Sequence, residues 1–132
     1  MFINAFGEEL IIDNATEALK RACAETGADV YEFTAAPVFM EEGKKGAHEW
    51  LIEFNADPEY FAGILDQELQ KLNSDYEAKR LLSLERLRLH IARPGLFNDW
   101  LKEKGKLGGQ HKVPRLWNDR THLEELLLLD RK

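Results

Sequence analysis

Two runs of alternating residues on either side of a short turn are the feature of this sequence that most constrains its fold. Residues 47–55 place one set of side chains on one face: His48, Trp50, Ile52 and Phe54. Residues 30–40 do the same with Tyr31, Phe33, Ala35, Pro37 and Phe39. Residues 41–46 contain glycine and charged side chains, so the two runs predict a β-hairpin. Pro37 has no amide hydrogen, which indicates an edge position or a bulge in the first strand.

Helical spacing before and after this hairpin predicts that helices cover it. Apolar residues recur at three- and four-residue steps over residues 14–26 and from Pro58 to Leu72. The polar residues 73–80 continue or break the second of these helices. The remaining predicted elements are strands over 2–5, 10–12 and 87–91, and helices over 96–101 and 121–129. This order predicts an α+β fold in one domain over residues 1–132, with a small, mostly antiparallel sheet of three to four strands covered by helices.

Composition and charge exclude several classes of function. Of the 132 residues, 44% are hydrophobic and 32% charged, which is typical of a globular domain. The net charge is −6, so we expect no nucleic-acid partner. No apolar stretch is long enough to span a membrane and no signal peptide is visible, so we expect no membrane partner. The single cysteine, Cys23, excludes an internal disulfide and favours a cytoplasmic location.

Standard catalytic and metal-binding motifs are absent from the sequence. It contains neither a G-x-x-x-x-G-K-[ST] nor a G-x-G-x-x-G loop, and His48 and Glu49 lack the second histidine of an H-E-x-x-H zinc site. We interpret His48, on an apolar strand face, as a core residue. Cys23 lies on the apolar face of a predicted helix and is interpreted as packing rather than as a nucleophile. We therefore expect no metal site.

A basic, glycine-containing segment over residues 102–115 contrasts with the acidic chain. It holds five basic residues against one acid, Glu103, and three glycines: Gly105, Gly108 and Gly109. The basic residues are Lys102, Lys104, Lys106, Lys112 and Arg115. We predict a loop here, because a lysine on a glycine-rich loop is suited to binding an anion such as phosphate. A solvated surface loop remains the alternative.

Four segments, in order along the chain, carry a family resemblance. Residues 72–80 (LNSDYEAKR) are similar to an LNSxYxxxR motif, and residues 108–115 (GGQHKVPR) are similar to INQYKVPR. Residues 46–50 (GAHEW) resemble the strand PGHYVLYWEL, and residues 34–37 (TAAP) resemble a segment of bacterial members. The chain thus resembles the auxin-responsive Gretchen Hagen family of acyl-acid amido synthetases over almost its whole length. It departs from the family's motif at His111, where the family has tyrosine, and at Gly108 and Gly109, which replace a less flexible pair.

The resemblance implies that this chain is the mobile C-terminal domain of an adenylate-forming enzyme. The large N-terminal adenylation domain is then absent, and this domain alone is expected to be inactive. The full enzyme would use ATP with Mg²⁺, an acyl acid and an amine or amino acid. By its match to the motif, Lys112 is the expected catalytic residue. The other implied site residues are Gly108, Gly109, Gln110, His111 and Arg115 in the phosphate or acceptor loop, and Phe6, Gly7 and Glu8 in a turn after the interdomain hinge.

Two alternatives use the same residues differently. The chain could be a stand-alone interaction module that binds an anion or a phosphate through residues 106–115. It could also have a structural role alone, as a lid or a dimer contact. If the chain is part of a ligase, we expect it not to bind ATP tightly when isolated, whereas a stand-alone module could bind a phosphate-bearing ligand.

Overall fold

The computed structural model describes residues 2–3, 9–106 and 112–131. Phe6, Gly7 and Glu8 of the predicted turn lie outside the described residues, as do Gly108, Gly109, Gln110 and His111 of the predicted loop. Within the described part, the chain forms five strands and five helices. None of these helices is both long and apolar enough to cross a bilayer.

The predicted hairpin forms the larger part of a three-stranded sheet. Strand β3 (Val30–Val38) pairs antiparallel with β4 (Ala47–Phe54), with Ala35 opposite Trp50 and a register shift between Val30 and Glu32. Strand β5 (Arg88–Ile91) pairs parallel with β4, so β3 and β5 are the edges. The edge position predicted from Pro37 is therefore confirmed. A separate antiparallel ribbon joins β1 (Phe2–Ile3) to β2 (Leu10–Ile11).

Five helices connect these strands, and short polar side chains cap two of them. Helix α1 spans Ile12–Thr26 and ends at Gly27, whose φ of 77° is accessible to glycine. Helix α2 (Pro58–Leu72) begins after Asp57, whose carboxylate accepts from the amide of Glu59. Asn73 ends α2 and caps α3, so the polar residues after Leu72 break the helix and start another. The last three helices are α3 (Ser74–Leu82), α4 (Leu96–Lys106) and α5 (Thr121–Asp130).

Helices cover both faces of the sheet, and a separate hydrophobic core lies between the sheet and the helices on each face. The first core lies against α1, α2 and α3 and takes Phe33, Trp50 and Ile52 from the sheet. The second lies against α4 and α5 and takes Ala36 and Leu51, together with Leu96, Phe97, Trp100, Leu123 and Leu126 from the helices. The consecutive residues Trp50, Leu51 and Ile52 are fully buried, as expected for a central strand between two layers. The predicted α+β fold, with a small sheet covered by helices, is confirmed.

The prediction of a loop over residues 102–115 is wrong for residues 102–106, which are helical. Helix α4 continues through Lys106, beyond the predicted end at residue 101. Lys104 explains this extension, because its ammonium lies 2.7 Å from a carboxylate oxygen of Glu125 on α5 and over the ring of Trp100. Other boundaries shift by one or two residues: α1 begins at Ile12, β3 ends at Val38 and β5 begins at Arg88.

Candidate functional site

Residues 112–117 lie along the outer edge of β3. The amide of Ala35 donates to the carbonyl of Arg115 (2.8 Å), and the amide of Trp117 donates to the carbonyl of Ala35 (3.1 Å). Leu116 forms a parallel bridge with Ala35. We call residues 112–117 the edge segment. It extends the sheet by one short, strand-like step beyond β3.

Buried side chains hold the edge segment on both faces of the sheet. Val113 is buried in the second core, and Leu116 is buried in the first. Pro114 is also buried, and its carbonyl oxygen accepts a 2.6 Å hydrogen bond from the hydroxyl of Thr34. Thr34 is itself 1% exposed. The segment is thus fixed by main-chain bonds, by one buried hydroxyl and by packing in two cores.

Arg115 acts as a clamp at this edge. Its Nε donates to a carboxylate oxygen of Glu32 at 2.9 Å, and its guanidinium lies over the ring of Phe33 at 5.4 Å. Arg115 also lines a groove of about 340 Å³ between α1 and β3, together with Lys20 and Cys23. Burial raises the pKa of the Cys23 thiol, so the thiol is less reactive at neutral pH. This fits the packing role expected for Cys23.

Lys112 is exposed and directly precedes the buried Val113. The position of its main chain therefore follows from the anchoring of the residues after it. Of the predicted site residues, the structure places Lys112 and Arg115 together on one anchored segment. Gly108, Gly109, Gln110 and His111 lie in the preceding part of the chain, which is outside the described residues.

A second anchored point follows the edge segment in the chain. Arg120 donates from Nη2 to Glu49 at 2.7 Å and from Nη1 to the carbonyl of Pro37 at 3.1 Å. Glu49 is 8% exposed, and its other oxygen lies 2.6 Å from Nε2 of His90. Burial by itself raises the pKa of the Glu49 carboxyl, but the hydrogen bonds from His90 and Arg120 outweigh it and hold the pKa below its ordinary value.

Three residues of the segment 72–80, which resembles the LNSxYxxxR motif, bond to other parts of the fold: Asn73, Tyr76 and Arg80. The side chain of Asn73 accepts from the amide of Tyr76 and donates to the carbonyl of Glu9. The hydroxyl of Tyr76 donates to Asp66 at 2.5 Å, and Nε of Arg80 lies 3.0 Å from both oxygens of the same carboxylate. Burial lowers the pKa of Arg80, but the bond to Asp66 outweighs it and raises the pKa above its ordinary value.

Sequence reasoning missed Asp66, although a signal for it exists. Asp66 is 3% exposed and lies four residues, about one helical turn, after Ala62. It therefore occupies the apolar face of α2. A charged residue on an apolar helical face indicates a buried partner. The predicted role of His48 as a core residue agrees with the structure, where it is buried at 5.3 Å from the ring of Tyr76.

Metal-binding geometry is not found in the described part of the chain. Residues 9–105 and 112–131 bring together no group of three or more histidine, cysteine, aspartate or glutamate side chains that could hold a metal ion. We therefore assign Mg²⁺ to no residue described here. The site consists instead of an exposed lysine on an anchored segment, with an arginine that is already paired.

The chain matches the sequence model described as "GH3 family C-terminal domain" over residues 13–121. Two solved structures are similar to it, each with a TM-score of 0.76. One is "GH3.15 acyl acid amido synthetase", at 15% identity over 97% of this chain and 24% of that chain. The other is "AtGH3.15 acyl acid amido synthetase in complex with 2,4-DB", at 16% identity over 96% of this chain and 25% of that chain. No curated protein matches the sequence.

At this level of identity the two structures show a shared fold. The chain spans about a quarter of the length of either of them. What these proteins bind or catalyse is therefore a property of chains about four times as long. The role of this chain is therefore inferred from its own geometry and from the match over residues 13–121.

Proposed function

The chain belongs to the GH3 family as its C-terminal domain, and on this premise we propose that it is the mobile domain of an ATP-dependent acyl-acid amido synthetase. The full enzyme would join a carboxylic acid to an amine or amino acid. Its remaining part, including a large N-terminal adenylation domain, is the proposed partner of this chain. We also propose a cytoplasmic location for the enzyme.

The proposed reaction has two steps. A carboxylate oxygen of the acid attacks the α-phosphorus of ATP, the bond to the bridging oxygen breaks, and pyrophosphate leaves. The amine nitrogen then attacks the carbonyl carbon of the acyl-adenylate, loses a proton and releases AMP. ATP is a substrate in this scheme, and Mg²⁺ would neutralise phosphate charge when bound.

The observation that carries the proposal is an exposed lysine on an anchored segment that resembles the family's KVPR motif. Negative charge builds on the phosphate oxygens as the carboxylate attacks, and a preorganised cation stabilises that charge. Lys112 would supply this cation. Because the next two residues, Val113 and Pro114, are buried, the main chain of Lys112 is held in a defined position.

The other predicted site residues have different places in the proposal. Arg115 is paired with Glu32, so we propose that it holds the edge segment, and its contact with phosphate stays a prediction. Gly108, Gly109, Gln110 and His111 are proposed to form the phosphate or acceptor loop. Phe6, Gly7 and Glu8 are proposed to form the turn after the hinge.

Alone, this domain is proposed to be inactive. Adenylation needs ATP, the acid and Lys112 held together, and that proximity requires the larger domain. The alternative of a stand-alone phosphate-binding module has less support. Within the described part of 102–115, Lys104 is paired with Glu125 and Arg115 with Glu32, so their charge is already used inside the domain.

The test is ATP–pyrophosphate exchange by the full-length protein, assayed with a panel of aryl and aliphatic carboxylic acids. We expect Lys112→Ala to lower the exchange rate by roughly 10²–10³-fold, or about 2.7–4 kcal/mol, because one preorganised charge contact is lost. Affinity for the acid should be unchanged. Lys102→Ala is the matched control, since it removes an exposed lysine from α4.

Exchange at the wild-type rate in Lys112→Ala would contradict the proposed role of this residue. Exchange absent from the wild-type protein with every acid, together with tight binding of inorganic phosphate by the 132-residue chain, would favour the stand-alone module. Isothermal titration with phosphate measures the second property directly.

A further inference from the structure

We infer that Thr34 is a positioning residue for Lys112. Through its hydrogen bond to the carbonyl of Pro114, it holds the edge segment so that Lys112 is placed for adenylation. The inference rests on the proposed function, because it assigns Thr34 a role in the step that Lys112 serves. It adds a residue of the hairpin, distant in sequence, to the machinery of that step.

Along the edge segment, the hydrogen bond from Thr34 is closer in sequence to Lys112 than the two main-chain bonds of Ala35. Ala35 bonds to Arg115 and Trp117, whereas the hydroxyl of Thr34 bonds at 2.6 Å to Pro114, two residues after Lys112. Pro114 has no amide hydrogen, so its carbonyl oxygen is its main-chain hydrogen-bonding group. Loss of the hydroxyl therefore loosens the end of the segment that carries the lysine, while the packing of Val113 keeps the segment in place.

The chemistry of the site favours a specific use of the hydroxyl. Thr34 is 1% exposed on the second face of the sheet, between strand residues that pack against α4 and α5. Valine has nearly the same shape, is equally suited to a strand and brings no polar atom into the core. A buried hydroxyl is unfavourable unless it is bonded, and this one is bonded to Pro114.

The experiment compares three variants of the full-length enzyme in ATP–pyrophosphate exchange. Thr34→Val should lower kcat about 10-fold with KM for ATP little changed, since a misplacement of about 1 Å can lower rates by 10²-fold. Thr34→Ser keeps the hydroxyl and should restore the rate. Thr26→Val is the matched control, because it also removes a hydroxyl bonded to a carbonyl, that of Ala22 at 2.8 Å, on α1.

A second readout follows the segment itself. Hydrogen–deuterium exchange of a peptide covering residues 112–117 should be faster in Thr34→Val than in wild type, and unchanged in Thr34→Ser and Thr26→Val. This readout does not depend on the acid substrate. It separates a local release of the edge segment from a general loss of stability.

The inference is overturned if Thr34→Val keeps the wild-type kcat, or if Thr26→Val loses as much activity as Thr34→Val. A loss of exchange in Lys112→Ala, with none in Thr34→Val, overturns this inference alone. Wild-type exchange in Lys112→Ala overturns the role proposed for Lys112 and this inference with it, whereas exchange absent from the wild-type protein with every acid overturns the proposed function.

Discussion

Two segments of this chain resemble family motifs, and the structure holds them in different ways. Residues 72–80 are fixed by side chains: Asn73 caps a helix, and Tyr76 and Arg80 meet on the buried Asp66. Residues 112–117 are fixed by main-chain bonds to Ala35, by the Thr34 hydroxyl and by packing of Val113 and Leu116 in the two cores. The matched residues of the first segment thus act as framework, whereas the second segment presents an exposed lysine.

The difference teaches that resemblance to a motif does not by itself indicate chemistry. Three polar residues of the first segment bond to the rest of the fold: Asn73 bonds to Glu9, and Tyr76 and Arg80 bond to the buried Asp66. Substituting one of them should therefore lower the stability of the domain. In the second segment, substitution of Lys112 should lower activity and change stability little, because the lysine is exposed and the buried Val113, Pro114 and Leu116 hold the segment.

The largest expected effect on stability comes from Asp66→Ala. It leaves the Tyr76 hydroxyl and the Arg80 guanidinium without their shared acceptor, and breaking a buried ion pair destabilises by about 3–5 kcal/mol. The measurement is chemical denaturation of the 132-residue chain. Asp75→Ala, an exposed change in the first turn of α3, is the control, with an expected loss of about 0.3–1 kcal/mol. Equal losses in the two variants would show that the network contributes little.

A smaller effect is expected from Asn73→Ala. Removing a side-chain cap destabilises a helix by about 1 kcal/mol, and Asn73 also donates to Glu9 and to Asn14. Thermal unfolding measures the loss, with Asn98→Ala on the exposed side of α4 as the control. An unchanged midpoint in Asn73→Ala would contradict the framework role of residues 72–80.

The smallest expected effect is a pH dependence at Glu49, which anchors the chain after the edge segment. Its pKa is lower in the folded state than in the unfolded state, so its contribution is complete above the unfolded value. The contribution is lost as the pH falls through the lower, folded value. The exposed parts of His90 and Arg120 allow solvent to screen the interaction, which keeps the effect small.

The measurement for Glu49 is the free energy of unfolding as a function of pH, in wild type and in Glu49→Gln. The wild-type protein should lose more stability than Glu49→Gln as the pH falls below about 4.5, the ordinary glutamate value. Parallel curves would contradict the role of this carboxylate as an anchor. Hydrogen–deuterium exchange would then locate the anchor elsewhere along residues 112–121.

Much of the fold could be predicted from local pattern. The hairpin follows from alternation around a glycine-containing turn, and α2 follows from Pro58 and its apolar spacing. The parallel pairing of β5 with β4 has no local signal, because it depends on two helices passing between them. The end of α4 was missed for a similar reason, since Lys104 is held by Glu125 on another helix.

The candidate site could be predicted only in part. Lys112 and Arg115 were found through the family resemblance and through local charge. Their anchors were not, because Thr34 and Glu32 lie about 80 residues earlier in the chain and are ordinary residues for a strand. Long-range hydrogen bonds of this kind leave no periodic trace in a sequence. The ion pair of Arg115 with Glu32 also neutralises part of the positive charge of residues 102–115. This segment is therefore less strongly cationic than its sequence indicates.

The edge segment also has a consequence for self-association. A strand at the border of a sheet offers unpaired amide and carbonyl groups to other molecules, and proteins commonly cover such borders to prevent aggregation. Residues 115–117 occupy both main-chain groups of Ala35 near the middle of β3, and Pro37 further along has no amide to offer. The same short stretch that carries the lysine thus shields β3 from strand exchange with a neighbouring copy.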